Sequence, residues 1–202
     1  MIIIPLGDGT APANLKKIAD CLRGGGIIAY PTDTLYGLGG SFLSPVAHAR
    51  IDALKGRSAQ PYAAAVGSLA MLEPLVAEVP AIVRDRLQEL LPGKFTFLFR
   101  PSPAVDPVLL RNSGKIGMRI PALPPLLQLI GRLGFPIITT SANRGGEPPL
   151  NDPRQIALEF PGLDLLIDGG VLPPSKGSTV VDLTVSPPVV IRQGDGDLGT
   201  EL

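Results

Sequence analysis

The residues with the clearest chemical potential are hydroxyls and cations placed where apolar segments end. Residues 31–39 (PTDTLYGLG) follow the apolar run 27–30 and combine hydroxyls with glycines. Glycines let a ligand approach the backbone closely, and loops that follow buried strands often carry binding residues. Thr32 and Thr34 are therefore candidate binding residues, although the composition of this segment fits an ordinary turn equally well.

Lys55 and Arg57 form a pair of cations separated by one glycine at the predicted end of a helix. Such a pair can bind a polyphosphate, with lysine acting as a point charge and arginine as a two-pronged donor. Cations at a helix C-terminus also interact favourably with the helix dipole, so the pair alone does not establish a site.

Residues 137–146 (IITTSANRGG) begin as a strand and end in hydroxyl and amide side chains, an arginine and two glycines. The candidates here are Thr139, Ser141 and Asn143, whose uncharged groups can orient a nucleotide or an amino acid. A capped turn needs only one or two such residues, so their density favours a binding site.

Two arginines lie in or beside predicted strands: Arg119, which alternates with apolar neighbours, and Arg192, which ends the last apolar run. A strand arginine needs a buried partner or an anionic ligand. The single histidine, His48, lies in a helical pattern and is expected to be exposed. Cations, hydroxyls and amides without a histidine base fit nucleotidyl transfer, in which the enzyme positions reactants and stabilises charge on phosphorus, usually with Mg²⁺. They fit a hydrolytic triad or a zinc site poorly.

The elements that must position these residues alternate between strands and helices. Strands are predicted at 2–5, 27–30, 62–66, 95–99, 116–120, 136–140, 165–168, 179–183 and 189–192. Helices are predicted to begin near Pro12, Pro45, Ser68, Ala81, Leu123 and Pro153, and residues 32–40 are predicted to be a loop. This alternation predicts an α/β domain in which helices pack against a twisted, open, mixed sheet.

Composition narrows the function classes. The 202 residues carry 18 basic and 18 acidic side chains, so bulk charge gives no affinity for nucleic acid and any polyanion site must be a local basic patch. One cysteine excludes an intrachain disulfide and fits a reducing compartment. The N-terminal apolar run is too short for a signal peptide and no run is long enough to span a membrane. A cytoplasmic protein without a membrane partner is expected.

Taken in order, these motifs resemble those of the YrdC/YciO family of threonylcarbamoyl-AMP synthases. Residues 31–39, 55–57 and 141–143 are similar to the family patterns P-T-[DE]-T-x-Y-G-L-G, K-x-R and S-x-N. The likeness continues through 92–97, 118–121, 178–183 and 191–194, and so covers nearly the whole chain.

The resemblance implies a single YrdC-like domain over residues 1–202 with a concave, basic cavity. It implies a nucleotidyltransferase that makes L-threonylcarbamoyladenylate and pyrophosphate from L-threonine, bicarbonate and ATP. ATP would be a substrate accompanied by Mg²⁺, with no metal held by the protein itself. The product would serve the threonylcarbamoyl-transferase machinery that modifies tRNA.

The resemblance also assigns roles to residues. Catalysis is assigned to Lys55 and Arg57; ATP binding to Lys55, Arg57, Thr139, Ser141, Asn143 and Arg192; and threonine binding to Thr32, Thr34, Arg119 and Ser178. Arg119 is expected to bind the threonine carboxylate.

The chain departs from the synthase pattern directly after K-x-R. Synthases usually have proline and then N-P-L at these positions, whereas this chain has Ser58 and residues 60–65 (QPYAAA). Residues 116–121 and 192–197 are closer to the YciO branch. The alternatives are therefore a YciO-like protein that binds tRNA or double-stranded RNA, or an enzyme acting on a related carbamoyl-adenylate or a different amino acid.

Overall fold

The computed structural model describes residues 1–56, 61–77, 79 and 81–199, with the backbone alone at 81 and 82. The strands are β1 Ile2–Pro5, β2 Ile28–Pro31, β3 Tyr36–Gly39, β4 Ala63–Ala65, β5 Phe95–Phe99, β6 Ile116–Arg119, β7 Ile137–Ser141, β8 Leu165–Asp168, β9 Thr179–Asp182 and β10 Val189–Arg192. The helices are α1 Pro12–Arg23, α2 Pro45–Lys55, α3 Leu69–Leu72, α4 Ala81–Leu90, α5 Pro107–Leu110, α6 Pro124–Leu133 and α7 Pro153–Glu159, with 3₁₀ turns at Leu6–Asp8 and Glu73–Leu75.

The strands form one mixed sheet in the order β1-β8-β2-β3-β7-β4-β6-β5-β9-β10. The pairs β1–β8, β2–β8, β4–β6 and β5–β9 are parallel, and the remaining neighbours are antiparallel. Strand β7 joins the two halves because it pairs with β3 through its last two residues and with β4 through its first three. The predicted mixed α/β sheet is confirmed.

One face of the sheet is covered over only part of its area. Helices α1 and α6 bury residues such as Leu22 and Leu129 against β2, β4 and β8, and Ala65 belongs to this core. Ala63 lies two residues before Ala65 and therefore on the same face, but it lines an open cavity. The larger core, which includes Phe97 and Ile51, fills the opposite face.

Helix starts follow simple capping rules. Helices α1, α2, α5, α6 and α7 all have proline in the first turn, where the missing N–H costs nothing. The side chains of Ser44, Asp106 and Asp152 accept hydrogen bonds from the first-turn backbone of α2, α5 and α7. First-turn proline therefore marks where all five helices begin, and a capping side chain precedes it in α2, α5 and α7.

The prediction of a loop over residues 32–40 is wrong in its second half, where β3 pairs with β2 and β7. A side-chain carbon on Gly39 would lie 2.5 Å from the Tyr30 ring and 2.9 Å from the Ile138 carbonyl oxygen. Glycine is rare in strands, yet here the packing of Tyr30 requires it. Helix α5 was also not predicted. Among the described residues, no helix has the length and apolarity needed to cross a bilayer.

Candidate functional site

A cavity of about 470 Å³ opens on the uncovered part of the sheet. Its volume lies in the range of roughly 300–1,000 Å³ that small-molecule sites occupy. Strands β3, β4, β5, β6, β7 and β9 supply its floor and walls. Its polar lining consists of Thr32, Thr34, Tyr36, Tyr62, Thr96, Ser113, Lys115, Arg119, Thr139, Thr140, Ser141, Lys176, Ser178 and Arg192.

Arg119 anchors one end of the cavity and is only 6% exposed. Its Nη2 donates to Asp33 Oδ1 at 2.6 Å, and its Nη1 donates to Thr34 Oγ1 at 3.3 Å. Thr32 Oγ1 donates to the Leu35 carbonyl at 2.7 Å and lies 3.1 Å from Thr34 Oγ1, which fixes the loop. Burial lowers the pKa of Arg119, and Asp33 opposes that shift. The expected buried partner of Arg119 is therefore Asp33.

A hydroxyl from β5, one from the residue before β9, and a second arginine complete this end. Ser178 Oγ lies 2.8 Å from Thr96 Oγ1, and both side chains are buried. Arg192 Nη2 donates to the Ser178 carbonyl at 2.8 Å and to Ser178 Oγ at 3.3 Å. Two guanidinium groups and four hydroxyls thus converge around one space, an arrangement suited to a small carboxylate with hydrogen-bonding substituents.

Lys55 lies behind the opposite end of the cavity. It is the last residue of α2, and Gly56 ends the helix in the left-handed conformation with φ of 63°. Lys55 Nζ donates to the Ser141 carbonyl at 2.6 Å, the Asn143 carbonyl at 2.7 Å and Asn143 Oδ1 at 2.9 Å. The lysine is 2% exposed and ties the end of α2 to the loop after β7.

Both the oxygen and the nitrogen of the Asn143 side-chain amide are hydrogen-bonded. Its Oδ1 also accepts from Ser141 Oγ at 2.5 Å, and its Nδ2 donates to the carbonyls of Arg144 and Glu147 at 2.8 and 2.7 Å. The S-x-N segment is therefore a rigid loop end whose Ser141 faces the cavity.

The structure brings most of the predicted residues to one site. The cavity is lined by Thr32, Thr34, Arg119, Thr139, Ser141, Ser178 and Arg192. Lys55 and Asn143 lie one layer behind it, joined to Ser141. Arg57 lies outside the described residues. Four further residues of the lining were not predicted from the sequence: Thr96, Ser113, Lys115 and Lys176. Of these, only Thr96 has a signal in the sequence, because it alternates with phenylalanines in β5.

The expectation that His48 is exposed is wrong. His48 is 3% exposed between the rings of Phe42 and Tyr62, and its Nε2 lies 2.8 Å from the Phe42 carbonyl oxygen. Burial lowers its pKa, which favours the neutral ring. The helical pattern placed His48 on α2 correctly but could not show that Phe42 and Tyr62 would pack against it.

The charged side chains that line the cavity, Lys115, Arg119, Lys176 and Arg192, are all cationic. Among the residues that the structure describes, no Asp or Glu lines it and no group of three metal-binding side chains occurs. A divalent ion there would be held mainly by the ligand's own phosphates, as Mg²⁺ commonly is. Lysine and arginine side chains then interact with the remaining negative charge.

Comparison with known proteins identifies the class. Residues 20–194 match the Sua5/YciO/YrdC family model, which is described as "Telomere recombination". The chain belongs to this family.

Individual relatives refine the comparison. The threonylcarbamoyl-AMP synthase of Pyrococcus abyssi is 34% identical over 96% of this chain, and the chain spans 57% of that relative's length. The threonylcarbamoyl-AMP synthase of Chromohalobacter salexigens is 34% identical over 83% of this chain and 92% of its own. The structure of P. abyssi Sua5 with L-threonine superposes with a TM-score of 0.88 at 32% identity, covering 96% of this chain and 58% of that one. E. coli YciO superposes with a TM-score of 0.85 at 30% identity, covering 98% and 96%.

Proposed function

We propose that this protein is an L-threonylcarbamoyladenylate synthase, a nucleotidyltransferase that converts L-threonine, bicarbonate and ATP into threonylcarbamoyl-AMP and pyrophosphate. The observation that carries the proposal is the convergence of Arg119, Arg192 and the hydroxyls of Thr32, Thr34 and Ser178 at one end of a polar cavity. The likeness to a Sua5 structure complexed with L-threonine supports it.

Each end of the cavity has a part in this proposal. The threonine carboxylate would bind at Arg119, whose guanidinium already holds the Asp33 carboxylate in the same way. The surrounding hydroxyls would bind the threonine ammonium and side chain. The nucleotide would lie toward Thr139, Ser141 and Lys55, with Arg57 and Arg192 as further cations.

The chemistry requires mainly positioning and charge stabilisation. The threonine nitrogen first forms a bond to the carbon of bicarbonate, which loses an oxygen as water and leaves a carbamate. A carbamate oxygen then forms a bond to the α-phosphorus of ATP, and the bond from that phosphorus to the pyrophosphate oxygen breaks. Oriented cations and hydroxyls lower the cost of the charge that moves onto pyrophosphate. Mg²⁺ would supply further charge as the ATP complex.

The proposal also covers the enzyme that consumes the product and the location of this protein in the cell. Threonylcarbamoyl-AMP would be consumed by a threonylcarbamoyl transferase that acts on tRNA. A cytoplasmic location is supported by the single cysteine and by the substrates.

The decisive experiment is pyrophosphate release by the purified protein. We expect release that requires ATP, L-threonine and bicarbonate together, and that is lost in Arg119→Met while ATP binding persists. The C. salexigens relative serves as the positive control. Absence of threonine-dependent release, under conditions where that control is active, would overturn the proposal.

A second candidate rests on the almost complete overlap with E. coli YciO. It is an enzyme that uses a different amino acid or a related carbamoyl-adenylate, or a protein that binds tRNA or double-stranded RNA. A thermal-shift screen of threonine, serine and glycine with ATP tests the first form. Salt-sensitive RNA binding without ATP consumption would support the second form.

A further inference from the structure

Lys115 is a cation of the cavity that lies away from the Arg119 end. It directly precedes β6, and Gly117 and Arg119 follow at two and four residues, on the same face of the strand. A strand rises about 3.3 Å per residue, which separates Lys115 from Arg119 by about 13 Å along the chain. Asp182 holds the Lys115 ammonium and Asp33 holds the Arg119 guanidinium, so the cavity has cations at two separate positions.

The pairing of the strands places Lys115 at the same end as Ser141. Ala63 pairs with Gly117 on one side and with Thr139 on the other. Two residues further toward this end lie Lys115 and Ser141, and Ser141 is the residue whose carbonyl accepts from Lys55. The Lys115 end is therefore the end at which Lys55 contacts the S-x-N segment.

An aspartate holds the Lys115 ammonium in place. Lys115 Nζ donates to Asp182 Oδ2 at 2.5 Å, while Asp182 Oδ1 accepts from the backbone N–H and the hydroxyl of Thr184 at 2.9 and 2.6 Å. Burial raises the pKa of Asp182, but the hydrogen bonds from Lys115 and Thr184 outweigh it and lower the pKa overall. Among the described residues, only Asp182 accepts from the ammonium group, and the Lys115 side chain is 38% exposed at the cavity.

The chain before Lys115 fixes its direction. Arg111, Asn112 and Gly114 all have positive φ, at 49°, 62° and 64°. Arg111 is held by Asp52 through a 2.6 Å ion pair. Ser113 Oγ donates to the Lys115 carbonyl at 2.8 Å. A left-handed conformation is unfavourable for non-glycine residues such as Arg111 and Asn112, and it persists only where surrounding contacts enforce it.

We infer that Lys115 is a further phosphate-binding residue of the nucleotide site, and that Asp182 is the residue that positions it. This inference rests on the proposed function and assigns the polyphosphate part of ATP to the Lys115 end. A phosphate oxygen accepts from the remaining ammonium donors while Asp182 keeps its own bond. Lys115 lies outside the K-x-R and S-x-N segments, so these motifs do not predict it.

The first test compares Lys115→Met with Lys17→Met, an equal loss of charge at an exposed position of α1. Calorimetry measures the binding of a non-hydrolysable ATP analogue, pyrophosphate, AMP and L-threonine. A charge-assisted hydrogen bond contributes about 1.5–3 kcal/mol. We therefore expect analogue and pyrophosphate affinities to fall about tenfold or more in Lys115→Met, with AMP and threonine affinities unchanged.

Asp182→Asn tests the positioning role. The asparagine oxygen can still accept from Thr184, but the ion pair with Lys115 is lost. We expect a smaller loss of pyrophosphate affinity than in Lys115→Met, and no further loss when both substitutions are combined. Additive losses would show that Asp182 acts independently of Lys115.

A second measurement needs no variant. Pyrophosphate should slow reductive methylation of the Lys115 amine in the wild-type protein and leave Lys17 unaffected, as mass spectrometry would show. This measurement decides the matter even where Lys115→Met does not fold.

The outcomes separate the two proposals. If the wild-type protein binds no triphosphate, the proposed function fails together with this inference. If it binds the analogue but Lys115→Met matches Lys17→Met, or if AMP affinity falls as much as pyrophosphate affinity, only the role of Lys115 is overturned. Lack of protection by pyrophosphate overturns it as well.

Discussion

Lys55 and Arg119 are both buried cations at this site, but they are bound in different ways. Lys55 donates to the carbonyl and amide oxygens of Ser141 and Asn143, which belong to the frame of the site. Arg119 instead pairs with the carboxylate of Asp33, a group of the kind that a substrate would bring. Lys55 therefore has a strong structural role in addition to any contact with phosphate, whereas the proposed role of Arg119 is to bind the carboxylate of threonine.

The unsatisfied atoms sharpen this contrast. Arg119 Nε and Asp33 Oδ2 are buried and, within the part of the chain that the structure describes, have no hydrogen-bond partner. Buried polar atoms without partners cost about 1–3 kcal/mol each. The Arg119 end is therefore incompletely satisfied and can gain from a ligand, while the Asn143 loop is tightly bonded.

The largest expected effect is on Lys55. Lys55→Met leaves three acceptors on Ser141 and Asn143 without this donor, so the free energy of unfolding should fall by roughly 3–5 kcal/mol. Urea denaturation measures it, with Lys17→Met as the matched control. A loss no greater than that of the control would mean that Lys55 does not support the loop.

A smaller effect is expected at the other cation. Asp33→Asn removes the carboxylate from a buried ion pair but keeps an oxygen that can accept, so we expect a loss of about 2–3 kcal/mol. Saturating L-threonine should restore part of the stability of Asp33→Asn, because its carboxylate can pair with Arg119. Thermal melts with and without threonine measure this.

The same ligand provides the internal control. Threonine should restore no stability to Lys55→Met beyond the increase seen for the wild-type protein. Equal recovery in both variants would remove the distinction between a supporting and a substrate-binding cation.

The smallest effect concerns His48, on the helix that carries Lys55. Burial lowers the pKa of His48 in the folded protein. Below pH 6.5, the usual pKa of histidine, the unfolded chain therefore binds a proton more readily than the folded protein does. The stability from the neutral ring is complete above pH 6.5 and is lost as the pH falls toward the folded-state pKa. His48→Gln should show a weaker decline of melting temperature between pH 7.5 and 5.5 than the wild-type protein. Parallel declines would place the proton uptake elsewhere.

The sequence allowed prediction of much of the fold because its signals are local. Runs of four to five apolar or β-branched residues, such as those of β5 and β7, end at turns or polar residues, and prolines mark helix starts. Strand β3 escaped prediction because Gly37 and Gly39 lack side chains with a strand preference. Only contact with Tyr30 and β7 makes that segment a strand.

Most candidate residues were also predictable, because hydroxyls and cations at strand ends stand out and their order matches a known family. Their partners were not. Asp33 and Arg119 are 86 residues apart in sequence, as are Lys55 and Ser141. Neither pairing has a local signal, and the packing of Tyr62 against His48 has none either.

By itself, the sequence determined the element types, the family and the set of polar side chains, because propensity, capping and periodicity act over a few residues. The tertiary structure decided which of those side chains face a common cavity, which support it from behind, and that Lys115 joins them. Those properties depend on strand order and register, which bring distant segments together and are not encoded in any single stretch of the chain.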